Sequence, residues 1–178
     1  MSVEKTPLDI LQSVFGYDSF RGQQAEIIDY VIDGGSCCVL MPTGGGKSLC
    51  YQIPSMCRNG VGVVVSPLIA LMEDQVAALR ELGVRVAAIH SGLETALLNE
   101  AFSALRCGML DLVYVSPERL MMDDFLNLLD DLPLALFAID EAHCISQWGH
   151  DFRPEYQQLS LLCTRYPHVP RIAVTATA

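Results

Sequence analysis

Positive charge is scarce in this sequence. Lys and Arg number 11 against 21 Asp and Glu, which gives a formal net charge of −10 and a pI near 4.6. A protein that coats nucleic acid by electrostatics alone needs the opposite balance. Contact with DNA or RNA therefore has to be local, assisted by a partner domain, or tied to the state of a bound nucleotide. Long apolar runs are missing as well. Hydrophobic residues make up 51% of the 178, yet no run approaches the roughly 18 residues that a membrane span requires, so no membrane partner is expected. Met1 to Lys5 lack a basic stretch leading into an apolar one, which argues against secretion. Cysteine occurs seven times, an odd number, at positions 37, 38, 50, 57, 107, 144 and 163, with no CxxC spacing. That pattern predicts neither structural zinc nor a disulfide framework, and a reducing cytoplasm as the setting. Internal repeats, low-complexity tracts and linkers are absent, so the length fits one domain.

What is present alternates. Thr6-Pro7-Leu8-Asp9 is a helix start, with Thr6 as N-cap, Pro7 in the first turn and Asp9 where the helix dipole favours a carboxylate. Gly16 closes that helix, and a second, Gln23 to Asp33, stops at Gly34-Gly35. Apolar strands are predicted at Ser36–Met41, Val61–Ser66, Val84–His90, Leu112–Ser116, Leu134–Ile139 and Arg171–Thr175. Helices are predicted between them at Pro67–Leu82, Glu94–Cys107, Pro117–Leu129 and Pro154–Arg165. In the first of these, Leu68, Met72, Val76, Leu79 and Leu82 share one face. About six strands separated by helices imply an α/β fold with a mainly parallel, doubly wound sheet. The chain ends at Ala178 with no closing helix after the last strand, as a truncated domain would.

Two stretches carry chemistry. Met41-Pro42-Thr43-Gly44-Gly45-Gly46-Lys47-Ser48 follows the first strand and opens a helix. It matches the phosphate-binding pattern G-x-x-x-x-G-K-[ST] except that Met41 stands at the first Gly. Thr43 and Gly44, Gly45 and Gly46 can wrap phosphates with backbone N–H groups at a helix N-terminus. Lys47 would reach the β- and γ-phosphates, and the Ser48 hydroxyl would ligate Mg²⁺. Asp140 and Glu141 emerge where the strand Leu134–Ile139 ends, the edge at which open α/β sheets bind ligands. Asp140 would hold Mg²⁺, and Glu141 would orient the attacking water. Immediately downstream lies a loop with the only Trp of the chain: Trp148, flanked by His143, Gln147, His150, Phe152 and Arg153. Base–aromatic stacking is worth about 1–3 kcal/mol per base, enough to matter in a chain with few positive charges.

Asp140-Glu141-Ala142-His143 after a strand resembles motif II of the superfamily 2 helicases. Its continuation, Cys144 to Tyr156, resembles the aromatic-rich loop of RecQ-type DNA helicases. Phe15-Gly16-Tyr17 with Phe20-Arg21 and Gln24 resembles that family's motif 0. The likeness implies that Tyr17 stacks on adenine, Gln24 hydrogen-bonds its edge and Arg21 assists. Gly22 departs from the pattern, which usually has Pro there. Met41 to Ser48 resembles motif I, which also lacks the first Gly. Val65 to Met72 with Asp74-Gln75 is similar to motif Ia, Tyr114 to Leu120 to the Ala-Pro-Glu-Arg-Leu element, and Val174 to Ala178 to motif III. By the same likeness Ser66 and Arg119 are candidate DNA-backbone contacts. Thr175 and Thr177 would link the γ-phosphate to DNA, His143 would couple motifs II and III, and Arg153 would couple DNA contact to the nucleotide site.

The resemblance implies a first RecA-like P-loop NTPase lobe over residues 36–178, preceded by a helical adenine-recognition segment over 1–35. Its cofactors would be ATP and Mg²⁺. Its partners would be single-stranded and partially duplex DNA and a second RecA-like lobe carrying an arginine finger. The activity implied is 3′→5′ translocation and unwinding in DNA recombination and repair, in the cytoplasm and on the chromosome in a prokaryote. A lobe without its arginine finger is expected to hydrolyse ATP very slowly and to unwind nothing. Two rivals stand beside this reading: an RNA helicase lobe of DEAD/DEAH type, and a nucleotide- or DNA-binding fragment that does not hydrolyse.

Overall fold

The structure, a computed structural model, describes residues 5–42, 46–140 and 160–176. Its centre is a six-stranded sheet in the order β1-β6-β5-β2-β4-β3, with every neighbouring pair parallel. The strands are β1 (Cys37–Met41), β2 (Val61–Val65), β3 (Val86–Ile89), β4 (Leu112–Val115), β5 (Leu134–Ile139) and β6 (Arg171–Ala176). They read as near-continuous apolar runs because both faces of the sheet are covered. Along β2, Val63 and Val65 enter one core layer and Val64 the other.

Helices α3 (Leu49–Cys57) and α4 (Ile69–Glu81) cover one face. Cys50, Tyr51, Met72, Val76 and Leu79 pack there on Val39, Val64, Tyr114 and Leu136. Helix α5 (Thr95–Arg106), the short α6 (Pro117–Leu120), α7 (Asp123–Asp130) and a helical stretch over 160–165 cover the other. Phe102, Phe125, Leu129 and Leu162 bury against Val63, Val113 and Phe137. Emptying one such position, Phe125→Ala for example, costs about 3–5 kcal/mol by the usual cavity penalty.

Helices α1 (Pro7–Ser13) and α2 (Gln24–Ile32) add a third, smaller core. Ile10, Leu11 and Ile28 close on Ile53 of α3, so the N-terminal helices ride on the helix that follows the phosphate loop. The cap at Thr6 is as expected. Asp9 N–H donates to Thr6 Oγ1 at 3.2 Å, and Thr6 N–H donates to the Asp9 carboxylate at 3.1 Å, closing a capping box.

Three local expectations are corrected. Leu68 and Leu82 do not join the buried face of α4. They are its N-cap and C-cap residues, lie outside the helix and are 42% and 46% exposed. The predicted helix Pro117–Leu129 is two helices, because Met122 is extended (φ −72°, ψ 138°) and starts α7 afresh. Asp123 and Asp124 in its first turn complement the new N-terminus. The strand predicted over Val84–His90 shortens to Val86–Ile89. The expected helix over 154–165 is seen at 160–165, and its first six positions lie outside the described residues.

Candidate active site

All six strands point the same way, so their C-terminal ends share one edge of the sheet. Pro42, at the start of the predicted phosphate loop, follows β1 there and Asp140 follows β5 there. Strand β6 runs between them, pairing Leu40 with Thr175 on one side and Ile139 with Ala173 on the other. Thr175 is buried at this edge, between the loop strand and the carboxylate strand.

Gly46 sets the geometry of the loop's last turn. Its φ of +74° lies in the left-handed region that only Gly enters freely. Its carbonyl accepts both the Leu49 N–H (3.2 Å), which opens α3, and the side-chain amide of Gln24 (3.1 Å). Gln24 in turn accepts the Arg21 N–H at 2.9 Å. Tyr17, Ser19, Arg21, Gln24, Gly46, Leu11 and Leu49 line a single small cleft of ≈ 90 Å³. Tyr17 is 52% exposed at its mouth, an arrangement open to stacking. A carboxamide carries donor and acceptor side by side, the pair that reads the N6/N7 edge of adenine. Gly22, where the resembling pattern has Pro, adopts φ +53°. Proline is locked near −65°, so the turn here is a different one, yet it still delivers the Arg21–Gln24 hydrogen bond.

Asp140 is almost wholly buried. Its Oδ2 accepts the Tyr51 hydroxyl at 2.9 Å and the Gln75 amide at 3.4 Å. Tyr51 lies one turn into α3, three residues after Ser48 and on the same face. The Tyr51 and Tyr114 oxygens are 3.3 Å apart, and Gln52 donates to Tyr114 at 3.1 Å. Burial drives the Tyr51 hydroxyl far above its ordinary range, with the charges of Tyr114 and Asp140 adding to the effect. Burial likewise pushes Tyr114 up to about 12. Both phenols therefore stay protonated donors through the physiological range. Sequence reasoning gave none of Tyr51, Gln52 and Tyr114 a site role. The available signal was two polar side chains just after Lys47-Ser48, in a helix whose only other polar residue is Ser55, and a lone Tyr within the strand run Leu112–Val115.

A hard-oxygen donor set, one hydroxyl and one buried carboxylate, suits Mg²⁺. That ion takes few protein ligands and completes its shell with water and substrate phosphate. No group of three or more His, Cys, Asp or Glu at ligand spacing occurs among the described residues, so nothing there competes as a soft-metal site.

The DNA-contact candidates are placed less uniformly. Ser66 follows β2 at the same edge, but its hydroxyl is buried and has no hydrogen-bond partner. Arg119 is buried too. Both terminal nitrogens bond Asp124 (2.7 and 2.8 Å), and the guanidinium lies 5.1 Å from the Phe102 ring centre. Thr43, Gly44, Gly45, Glu141, His143, Gln147, Trp148, His150, Phe152, Arg153 and Thr177 lie outside the described residues. A larger cavity of ≈ 320 Å³ opens around Arg58, Arg85 and Asp111 at the opposite edge of the sheet. There Arg85 pairs with Asp111, and Arg58 holds the carbonyls of Ala135 and Ile32. Those groups brace the fold.

The family model described as DEAD/DEAH box helicase matches residues 21–178. The chain belongs to that family. It is 49% identical over 176 residues to the ATP-dependent DNA helicase RecQ of Pasteurella multocida, covering 99% of this chain and 28% of that protein. It is also 49% identical over 177 residues to the RecQ of Haemophilus influenzae, at 99% and 29%. This helicase-family chain thus spans under a third of those relatives. Among solved structures, the DUF1998 helicase MrfA bound to DNA and AMPPNP superposes with a TM-score of 0.72 at 22% identity. That match covers 96% of this chain and 26% of MrfA, and shows the RecA-like fold.

Proposed function

We propose that this lobe is the ATP-binding motor lobe of a RecQ-type 3′→5′ DNA helicase. It would couple ATP hydrolysis to translocation on single-stranded DNA and to duplex unwinding in recombination and repair, in the cytoplasm or on the chromosome. The observation that carries the reading is the 2.9 Å hydrogen bond at one sheet edge from Tyr51, one turn after Ser48 in α3, to Asp140. It joins the end of the phosphate loop to the acidic residue predicted to work with it. Kinship with RecQ proteins, rather than with RNA helicases alone, supports DNA as the polymer.

In this reading residues 1–35 recognise adenine through Tyr17, Arg21 and Gln24, while 36–178 form the lobe itself. Thr43 to Gly46 offer backbone N–H groups to the phosphates, and Lys47 neutralises the β- and γ-phosphates. Ser48 and Asp140 would hold Mg²⁺, which supplies charge stabilisation on the transferring phosphoryl group. Glu141 orients the attacking water. Trp148 and Phe152 stack on bases, with Gln147 and His150 beside them. His143, Arg153, Thr175 and Thr177 carry the nucleotide state to that loop, with Ser66 at the same sheet edge. Arg119, held by Asp124, fixes the start of α7 and can reach a DNA phosphate only by leaving that pair. A second RecA-like lobe supplies the arginine finger, worth on the order of 10³–10⁵ in rate. This lobe alone therefore binds ATP, turns it over very slowly and does not unwind.

Titration with a fluorescent ATP analogue in Mg²⁺, beside Lys47→Ala, tests this. Saturable binding that the substitution abolishes is expected; absence of binding by the parent chain refutes the reading. Joined to its second lobe, the enzyme is expected to show ATPase stimulation by single-stranded DNA. Stimulation by RNA alone would favour the RNA helicase instead.

A further inference from the structure

The buried hydroxyls behind Asp140 form a directed chain. Tyr51 has one proton and meets two acceptors, Asp140 Oδ2 at 2.9 Å and Gln75 Oε1 at 3.1 Å. The charged acceptor at the shorter distance wins, because a hydrogen bond to a carboxylate is roughly twice as strong as a neutral one. With that proton directed at Asp140, the 3.3 Å contact between the phenols leaves Tyr114 as the donor to Tyr51. The Tyr114 oxygen accepts from Gln52. Gln52, Tyr114 and Tyr51 therefore donate in a single direction that ends on the Asp140 carboxylate. Gln75 Nε2 reaches the same Oδ2 from α4, so the carboxylate is held from two helices.

We propose that Tyr51 is a positioning residue for Mg²⁺: its hydroxyl, one turn of α3 after Ser48, donates to Asp140 and so orients this acidic metal ligand beside the hydroxyl one, with Gln75 joining Asp140 to α4. The inference rests on the reading of Ser48 and Asp140 as magnesium ligands. The physical reason is that a ligand oxygen hydrogen-bonded from behind is fixed in direction and need not be reoriented when the ion arrives. Removing such a partner commonly weakens metal affinity tenfold or more. Gln75 adds a mechanical link.

Tyr51→Phe keeps the ring in its buried slot and removes only the hydroxyl. Binding of a fluorescent ATP analogue to this chain is measured against Mg²⁺ concentration and again in EDTA, and Mn²⁺ binding is followed directly by electron paramagnetic resonance. The expected result is an increase of about tenfold in the Mg²⁺ needed for half-maximal binding, with affinity in EDTA unchanged. A structural role alone would lower both affinities together. Gln75→Leu and Tyr114→Phe should shift the Mg²⁺ requirement in the same direction by less, and they carry the test should Tyr51→Phe fail to fold. An unchanged Mg²⁺ requirement in Tyr51→Phe, or in both other variants, overturns the proposal. A parent chain that binds no nucleotide overturns the helicase-lobe reading and this inference with it. Normal binding by the parent and an unaltered Tyr51→Phe overturn this inference alone.

Discussion

The side-chain amide of Gln24 donates to the backbone carbonyl of Gly46 at 3.1 Å, tying the start of α2 to the turn that ends the phosphate loop. The contact is close because Gly46 has no side chain. A Cβ there would stand 2.4 Å from Gln24 Nε2, and the residue's φ is +74°. Gly46→Ala is therefore expected to suffer twice: about 1–2 kcal/mol of left-handed strain, and displacement of Gln24 from the cleft. Equilibrium binding of the ATP analogue should fall by at least tenfold, with discrimination between ATP and GTP reduced. Unaltered binding would show that the Gln24–Gly46 link is dispensable.

Gly22→Pro, which would restore the residue usual in the resembling motif, is expected to harm this chain. The observed φ of +53° is out of reach of proline, so the turn must be rebuilt around Arg21 and Gln24. A loss exceeding about 1 kcal/mol in urea unfolding is the expected outcome. A stabilised variant would mean that the turn tolerates the negative-φ geometry.

The pair of buried Arg119 and half-exposed Asp124 predicts an asymmetry. Arg119→Met leaves Asp124 free to hydrate and keeps a long side chain against Phe102. Asp124→Ala strands a buried guanidinium. Thermal or urea unfolding should show Asp124→Ala as the more damaging, by about 2–3 kcal/mol against parent, and Arg119→Met the milder. Equal losses would contradict the unequal burial of the two partners.

The same pair fixes an acid limb. The hydrogen bonds from Arg119 hold the Asp124 carboxyl below its ordinary 3.8, and those from Arg165 do the same for Asp130. A carboxylate with a depressed folded pKa contributes stability that is complete above the unfolded value and is lost as pH falls through the folded one. Stability should therefore drop below pH 3.8, and in Arg119→Met the drop over that window should be shallower. Urea midpoints measured at successive pH values would decide it.

Thiol chemistry supplies a further check. Burial raises Cys50 to about 12 and Cys57 to about 11, while Cys38, Cys107 and Cys163 are exposed. Alkylation at pH 8 followed by peptide mass spectrometry should label Cys38, Cys107 and Cys163 quickly and Cys50 only on unfolding. Rapid labelling of Cys50 in the native state would mean that α3 opens readily.

Much of the fold was legible because it rests on periodicity. Apolar runs such as Val61–Val65 and Leu134–Ile139 are the centre of a parallel sheet, and little else buries five or six consecutive residues between turns. The candidate phosphate loop and Asp140 stood out in the sequence because few residue types suit a glycine turn into a helix or a carboxylate at a strand's C-terminal end. Leu68 and Leu82 misled because spacing marks a face and cannot say where a helix stops. Met122 misled because the acidic pair after it, which signals a fresh N-terminus, sat inside an otherwise good helical pattern. The Tyr51–Tyr114–Gln52 network was invisible for a different reason: its members meet from α3 and β4, far apart in sequence, and each reads singly as a core aromatic or a polar helix residue. Arg119 was read as a candidate DNA-backbone contact; the fold places Phe102 beneath it and Asp124 alongside, partners that lie apart in the sequence.

Strand β6, inserted between β1 and β5, also sets an order of events during synthesis. Among the described residues strand β1 has no other neighbour in the sheet, and its partners Ile172 to Ala176 are translated long after Cys37 to Met41. As the chain leaves the ribosome, the phosphate-loop strand therefore waits with an unpaired edge while the rest of the sheet assembles beside it. The half-made lobe can already hold α3 on β2, β4 and β5, where Cys50 and Tyr51 meet Val64, Tyr114 and Leu136, so what the arrival of β6 completes is the backbone pairing of β1.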